Sequence, residues 1–126
     1  MGEKISQYTQ KLFETDEYQN YLYWHGFGVE MAEALAEYWH KQIRQELNID
    51  NNDGPTTRDL ISGRYQGARF SFGYPACPRL EDQKILFQLL QPDDIGVKLS
   101  EEFQLHPEQS TSAIITTHSE AAYFTI

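Results

Sequence analysis

What is scarce in this chain excludes several classes of protein. Its 126 residues include a single cysteine, so no disulfide can form within the chain. No run of 18 apolar residues occurs, and we therefore predict that no segment spans a membrane. Residues 1–15 are mostly polar and lack the apolar core of a secretory signal. Together these absences predict a cytoplasmic protein.

Positive charge is also scarce. Ten Lys and Arg residues stand against 19 Asp and Glu residues, giving a formal net charge of -9. Such a chain repels phosphate backbones, so we predict no nucleic-acid partner. The four histidines have no metal-ligand spacing and no second cysteine supports a zinc site, so we predict no metal. There is no glycine-rich phosphate loop.

The first half of the chain predicts helix. Residues 18–49 form a helical region, either one long helix or a helix pair, behind an N-terminal extension at residues 1–17. Gly26 and Gly28 mark either a break between two helices or the close approach of another group. The predicted apolar stripe has steps of four, three, four and four residues. It contains Ala32, Ala36, Trp39, Ile43 and Leu47, whereas Glu30, Glu33, Glu37, Lys41 and Arg44 lie largely off it.

The second half predicts short mixed elements. Residues 50–55 read as a linker, and Thr56 or Thr57 is expected to cap a short helix that ends near Ser62. Residues 80–90 predict an amphipathic helix. Residues 97–99, 112–117 and 122–126 are strand-like, and residues 118–121 could form a hairpin loop between the last two. We therefore predict one α+β domain over residues 1–126, with short antiparallel strands near its C-terminus and the loop, helix and strands within residues 56–126.

The most unusual segment is residues 69–78 (RFSFGYPACP). It combines an arginine, three aromatic residues, a glycine, two prolines and the cysteine. Because Pro75 and Pro78 lack a backbone N–H, the segment cannot be a helix interior or a central strand. We predict a stiff, irregular loop of a kind that is common at ligand sites.

Several side chains in the chain could carry chemistry. Cys77 could be a nucleophile, but a small buried side chain is the favoured interpretation, and we assign no catalytic residue. Glu37 and His40 form a single Glu-x-x-His motif, which we interpret as a solvated helix face because di-iron sites need two copies. Glu33 and Glu37 lie one turn apart and are either a wet surface or acids that face a ligand's ammonium group.

Arg69 and Tyr74 make a more specific pair. A guanidinium binds a carboxylate through two parallel hydrogen bonds, and an aromatic face attracts a cation. A ligand with a carboxylate at one end and an onium centre would match both residues, and S-adenosylmethionine is such a ligand. The alternative is a surface ion pair for Arg69 and core packing for Tyr74.

Residues 69–78 also resemble the S-adenosylmethionine-binding signature of the activation domain of cobalamin-dependent methionine synthase. The family pattern is an arginine, three variable residues and then Gly-Tyr-Pro-Ala-Cys-Pro. The resemblance covers most of the chain from about Tyr18. It includes residues 29–44, 65–67, 89–90, 96–99, 107–112 and 123–124.

This resemblance implies a role in methionine biosynthesis. The domain would position S-adenosylmethionine for the reductive methylation of cob(II)alamin, with an electron from flavodoxin or a similar reductase. Cobalamin would be supplied by the cobalamin-binding module of the methyltransferase. The chain alone would then be a binding domain, and whether it counts as an enzyme is left open.

The resemblance also implies roles for individual residues. Arg69 would bind the donor's carboxylate, Tyr74 would lie beside its sulfonium, and Ser71 would bind the adenosine portion through its backbone. Tyr123 would close the site from the last strand, and Glu33 would lie near the donor. The expected cobalamin-facing loop consists of Gly73, Tyr74, Pro75, Ala76 and Cys77.

Two departures from the family pattern qualify these roles. Gly63 stands where relatives have an acidic contact, and Leu80 stands where some have histidine. An N-terminal segment and the other modules of the enzyme are not in this sequence. We expect a fragment, one polypeptide of a split enzyme or a stand-alone protein. The alternative function is a scaffold that has lost donor binding, and its exposed aromatic residues would favour a homodimer.

Overall fold

The computed structural model describes residues 2–122, which divide into two compact units. The first unit combines residues 1–33 with 79–111, and the second combines residues 34–78 with 112–126.

The α-helices are α1 (Glu3–Glu14), α2 (Tyr18–Glu46), α3 (Thr57–Ile61) and α4 (Gln83–Leu90). The strands are β1 (Ala68–Ser71), β2 (Lys98–Leu99), β3 (Leu105–His106) and β4 (Ala113–Thr116). Between residues 2 and 122, no helix combines the length and apolar character that crossing a membrane requires.

The first unit contains α1, the first half of α2, α4 and the β2–β3 pair. Leu12, Ala32 and Pro107 are its buried apolar side chains among the described residues. Gln109 is 2% exposed and accepts a hydrogen bond from Ser6 Oγ to its Oε1 at 2.7 Å. Its Nε2 lies 3.3 Å from His25 Nδ1. A buried amide therefore supplements a small apolar core.

The two glycines of α2 behave differently, although the helix runs unbroken through both. A Cβ at Gly28 would lie 2.8 Å from Gln109 Cγ, closer than two carbon atoms can approach. A Cβ at Gly26 would meet nothing within 4 Å. The predicted close approach is therefore confirmed for Gly28, and the predicted helix break is wrong.

The second unit is built on the antiparallel pairing of β1 with β4, in which Arg69 lies opposite Ile115. Gly67 precedes β1 with a φ of 90°, and a Cβ there would collide with the carbonyl oxygen of Thr116. Glycine is therefore required at this position for both conformation and space. The helix α3 begins at the predicted cap: Thr56 Oγ1 accepts from Asp59 N at 3.2 Å, in a capping box.

The α+β prediction is confirmed, with helices first and short antiparallel strands later. The strand predicted at residues 112–117 is present as β4, which pairs with β1. Nearly all of the strand predicted at residues 122–126 lies outside the described residues.

The predicted apolar stripe of α2 is wrong in part. Ala32 is buried, but Trp39 and Leu47 are 54% and 52% exposed. Arg44, which was not part of the predicted stripe, is completely buried. Burial follows a neighbouring face of the helix because ion pairs compensate the charges there, as described next.

Candidate functional site

The unusual segment combines a strand with a tight turn. Residues 69–71, predicted as loop, belong to β1, where Phe70 pairs with Ile114 and Ser71 with Ala113. The turn that follows is closed by its own backbone, since Gly73 N donates to Cys77 O at 2.8 Å and Cys77 N donates to Tyr74 O at 2.9 Å. The prolines lie in and after this turn, where no ladder hydrogen bond is lost. The segment is therefore more regular than predicted, and its stiffness remains a prediction.

Most of this turn faces solvent. Tyr74 is 56% exposed, and Gly73, Pro75 and Ala76 are also exposed. Cys77 is half-buried, whereas the sequence suggested a buried side chain. Gly73 has a φ of 85°, a conformation that glycine adopts without strain. The turn thus presents backbone and an aromatic ring to solvent.

Arg69, on the strand that leads into the turn, belongs to a group that we call the arginine cluster: Glu37, His40, Arg44, Tyr65 and Arg69. All five residues belong to the second unit. Glu37 Oε2 accepts from Tyr65 Oη at 3.3 Å and from Arg69 Nη1 at 3.5 Å. Its Oε1 lies 3.9 Å from Arg44 Nη2. One carboxylate therefore lies among two guanidinium groups and a phenol.

Arg44 is the most constrained member of the cluster. Its side chain is fully buried, and it binds Asp53 through Nε at 3.0 Å and Nη2 at 2.9 Å. Its guanidinium carbon lies 3.9 Å from the centre of the Tyr65 ring. A two-pronged ion pair and a cation–π contact together hold this charge in the interior.

His40 is buried with an exposure of 0% and packs edge-on against Tyr65, with ring centres 4.9 Å apart. Burial and, after it, the charges of Arg44 and Arg69 together lower the pKa of His40 from 6.5 to about 4. The imidazole is therefore neutral at physiological pH. Burial also raises the pKa of Tyr65, with Glu37 as the next cause, so its phenol remains a hydrogen-bond donor.

The interpretation of Glu37 and His40 as a solvated helix face is wrong. Both lie in the arginine cluster, where Glu37 has 21% of its side chain exposed and His40 none. A signal was present in the sequence, because Glu37, His40 and Arg44 follow one another at steps of three and four residues. Such spacing places all three on one face of a helix. Standard hydrophobic patterning assigns that face to water, since all three are polar.

The other predicted site residues are distributed as follows. Ser71 lies at the end of β1, two residues from Arg69, and Tyr74 opens the turn. Glu33 lies on α2 in the first unit and is exposed. Tyr123 lies outside the described residues. Within residues 2–122, no three His, Cys, Asp or Glu side chains are grouped so that they could hold a metal ion.

A separate pocket of about 330 Å³ lies in the first unit. Its walls include Glu3, Ser6, Tyr21, His106 and Gln109. None of the predicted site residues lines it. The segment that the sequence singled out and the arginine cluster therefore remain the candidate site.

Comparisons with known proteins bear on this candidate. The family model described as "Vitamin B12 dependent methionine synthase, activation domain" matches residues 1–126. The methionine synthases of Mycobacterium tuberculosis and Mycobacterium leprae are each 48% identical over 132 residues. These matches cover 100% of this chain but 11% of each relative, so the chain spans about a tenth of their length.

A solved structure is also similar. The crystal structure of the MetH reactivation domain bound to AdoHcy matches with a TM-score of 0.89 at 28% sequence identity. The match covers 98% of this chain and 38% of that one. The similarity of fold therefore extends over almost the entire chain.

Proposed function

Since this chain belongs to the family of activation domains of vitamin B12-dependent methionine synthase, we propose that it is the part of such a domain that binds S-adenosylmethionine. It positions this methyl donor for the reductive methylation of cob(II)alamin. The observation that carries the proposal is Arg69, a cation whose side chain is 18% exposed. It lies on β1, which leads into an exposed, backbone-closed turn.

A similar structure supports this choice of ligand. The solved reactivation domain is bound to AdoHcy, which is the donor without its methyl group. Both molecules have the same amino-acid carboxylate and the same adenosine. A chain with that fold and with an arginine before the turn therefore suits this ligand class.

Three of the proposed contacts are made by residues of the second unit. Arg69 binds the carboxylate, and the backbone of Ser71, where β1 ends, binds the adenosine portion. The exposed ring of Tyr74 lies beside the sulfonium, since an aromatic face attracts a cation. The roles of Glu33 near the donor and of Tyr123 over the site rest on the family resemblance.

The exposed turn fits a large, flat cofactor. Gly73, Pro75 and Ala76 carry small or compact side chains, so a broad ring system could approach the backbone closely. We propose that this turn, with Tyr74 and Cys77, faces cobalamin held by another module. Cobalamin supplies the methyl-accepting cobalt, whereas this chain contributes proximity and orientation of the donor.

The partners follow from the same proposal. The chain spans a small part of its relatives, so the cobalamin-binding module must come from outside residues 1–126. Reductive methylation also needs an electron, for which flavodoxin or a similar reductase of the cytoplasm is the expected source. A scaffold without donor binding is the competing function, but no specific observation favours it.

The first test is calorimetric titration of the chain with S-adenosylhomocysteine. We expect saturable binding, and we expect Arg69→Lys to weaken it by about 10-fold or more, because lysine keeps the charge but loses the two-pronged geometry. Arg64→Lys is the matched control, since Arg64 is 74% exposed and lies in the same unit. It should bind as the parent does.

Two results would contradict the proposal. One is the absence of saturable binding by a chain whose circular dichroism shows an intact fold. The other is equal binding by the Arg69→Lys variant and the parent. The first result would favour the scaffold function, whereas the second would exclude Arg69 as the group that binds the carboxylate.

A further inference from the structure

We propose that Glu37 is a positioning residue that holds the Arg69 guanidinium in place for the carboxylate of the donor. This inference rests on the proposed function, and no contact of Glu37 with the ligand is part of it. The starting point is geometric: Glu37 Oε2 lies 3.5 Å from Arg69 Nη1, and both side chains are about four-fifths buried.

Glu37 is suited to this role because it is itself held from two sides. Tyr65 Oη donates to the Oε2 atom, and the Arg44 guanidinium lies beside the Oε1 atom. Arg44 in turn is fixed by Asp53 and has no exposed side-chain surface. The carboxylate of Glu37 is therefore held by Tyr65 and Arg44. Neither of these residues is among the proposed contacts with the ligand.

Arg69 needs such support for two reasons. An arginine side chain has many rotamers, and ordering it at the moment of binding weakens affinity. A second cation, Arg44, lies in the same cluster and would repel Arg69 if no carboxylate stood between them. Glu37 meets both needs, since it contacts both guanidinium groups.

The inference predicts that the effect of Glu37 depends on the ligand's carboxylate. We would titrate Glu37→Gln with S-adenosylhomocysteine and with methylthioadenosine, which lacks the amino-acid portion. We expect the affinity for S-adenosylhomocysteine to fall by about 3- to 10-fold, because the Arg69 side chain must then be ordered on binding. The affinity for methylthioadenosine should stay unchanged. Glu46→Gln is the control, because Glu46 is exposed on the same helix.

A double-mutant cycle adds a second readout. If Glu37 acts through Arg69, then Glu37→Gln should have little further effect in the Arg69→Lys background. Equal losses for both ligands, or full additivity of the two substitutions, would overturn the inference in favour of a purely structural role.

A measurement without ligand separates this inference from the proposed function. The NMR order parameter of the Arg69 Nε–Hε bond should fall in Glu37→Gln and stay as in the parent in Glu46→Gln. A rigid Arg69 side chain in Glu37→Gln would overturn the positioning role even if the ligand binds. Loss of order with no binding by any variant would instead overturn the proposed function alone.

Discussion

The two units have different interiors. In the first unit the buried polar side chains, among the described residues, are Thr9, Gln83 and Gln109, all of them uncharged. In the second unit they are His40 and Arg44, and Arg44 is accompanied by the carboxylates of Asp53 and Glu37. One interior is held by amide and hydroxyl groups, whereas the other is held by ion pairs.

This difference indicates where ligand chemistry can occur. Amide and hydroxyl groups fix geometry with little net field, because their hydrogen bonds are made to one another and to the backbone. Buried guanidinium groups create a local positive field that only neighbouring carboxylates offset. In the second unit Asp53 pairs with Arg44, and Glu37 lies beside both Arg44 and Arg69. Arg69 is the guanidinium of this group that we propose for recognition of an anionic group.

The largest expected effect comes from breaking the charged interior. Arg44→Ala leaves Asp53 and Glu37 without their shared partner, and we expect the free energy of unfolding to fall by about 3–5 kcal/mol. Urea denaturation at pH 7 measures this value. Gln109→Leu breaks the uncharged interior of the first unit, and we expect a loss of about 1–3 kcal/mol because no charge is left unpaired.

The loss from Arg44→Ala should exceed the loss from Gln109→Leu, because only the first leaves charged groups unpaired. If Gln109→Leu destabilised the chain as much as Arg44→Ala, then the charged interior would contribute no more to the free energy of unfolding than the uncharged one. Arg64→Ala, at an exposed ion pair in the second unit, should change stability by about 0.5 kcal/mol or less.

A smaller fall in the free energy of unfolding is expected at acidic pH. The unfolded chain takes up a proton at His40 near pH 6.5, whereas the folded chain does so only near pH 4. Its contribution to stability is therefore complete above pH 6.5 and is lost as the pH falls toward 4. Between pH 7 and pH 5 we expect this residue to account for a fall of about 2 kcal/mol in the free energy of unfolding.

The test of this pH effect uses denaturation curves of the parent and of His40→Gln at both pH values. The variant should lose less stability than the parent on acidification, whatever its stability at pH 7. His118→Gln serves as the control, because His118 is exposed in the same unit. An identical pH dependence in all three proteins would contradict the neutral, buried state of His40.

The smallest effect distinguishes two glycines of one helix. Gly26→Ala should stabilise the chain by about 0.5–1 kcal/mol, since alanine favours helix and nothing lies in its way. Gly28→Ala should instead destabilise it by about 1 kcal/mol or more, because the new methyl group would displace Gln109. Thermal unfolding of the two variants would show shifts of opposite sign, and equal stabilisation would contradict the close packing around Gln109.

Local signals in the sequence were sufficient for part of the fold. Thr56 and Asp59 specify the start of α3 by themselves, because the cap needs only neighbours in the chain. The Gly-Tyr-Pro-Ala-Cys-Pro run likewise specifies its turn through prolines and a glycine. The roles of Arg69, Ser71 and Tyr74 at the ligand remain predictions, as do those of Glu33 and Tyr123.

Non-local features could not be predicted in this way. The pairing of β1 with β4 joins residues more than 40 positions apart, and no neighbour rule specifies it. The buried face of α2 was misjudged because a charged residue is assigned to water unless its partner is known. Two partners of Arg44, Asp53 and Tyr65, lie outside its helix, and only the fold brings them together with it.

The closed turn at residues 73–77 affects how fast and how selectively a partner can bind to it. Its backbone hydrogen bonds exist before any partner arrives, so little conformational freedom remains to be lost on contact. A surface of this kind recognises shape as a rigid template does. A partner that does not match its contour would have to break these backbone hydrogen bonds before the turn could rearrange around it.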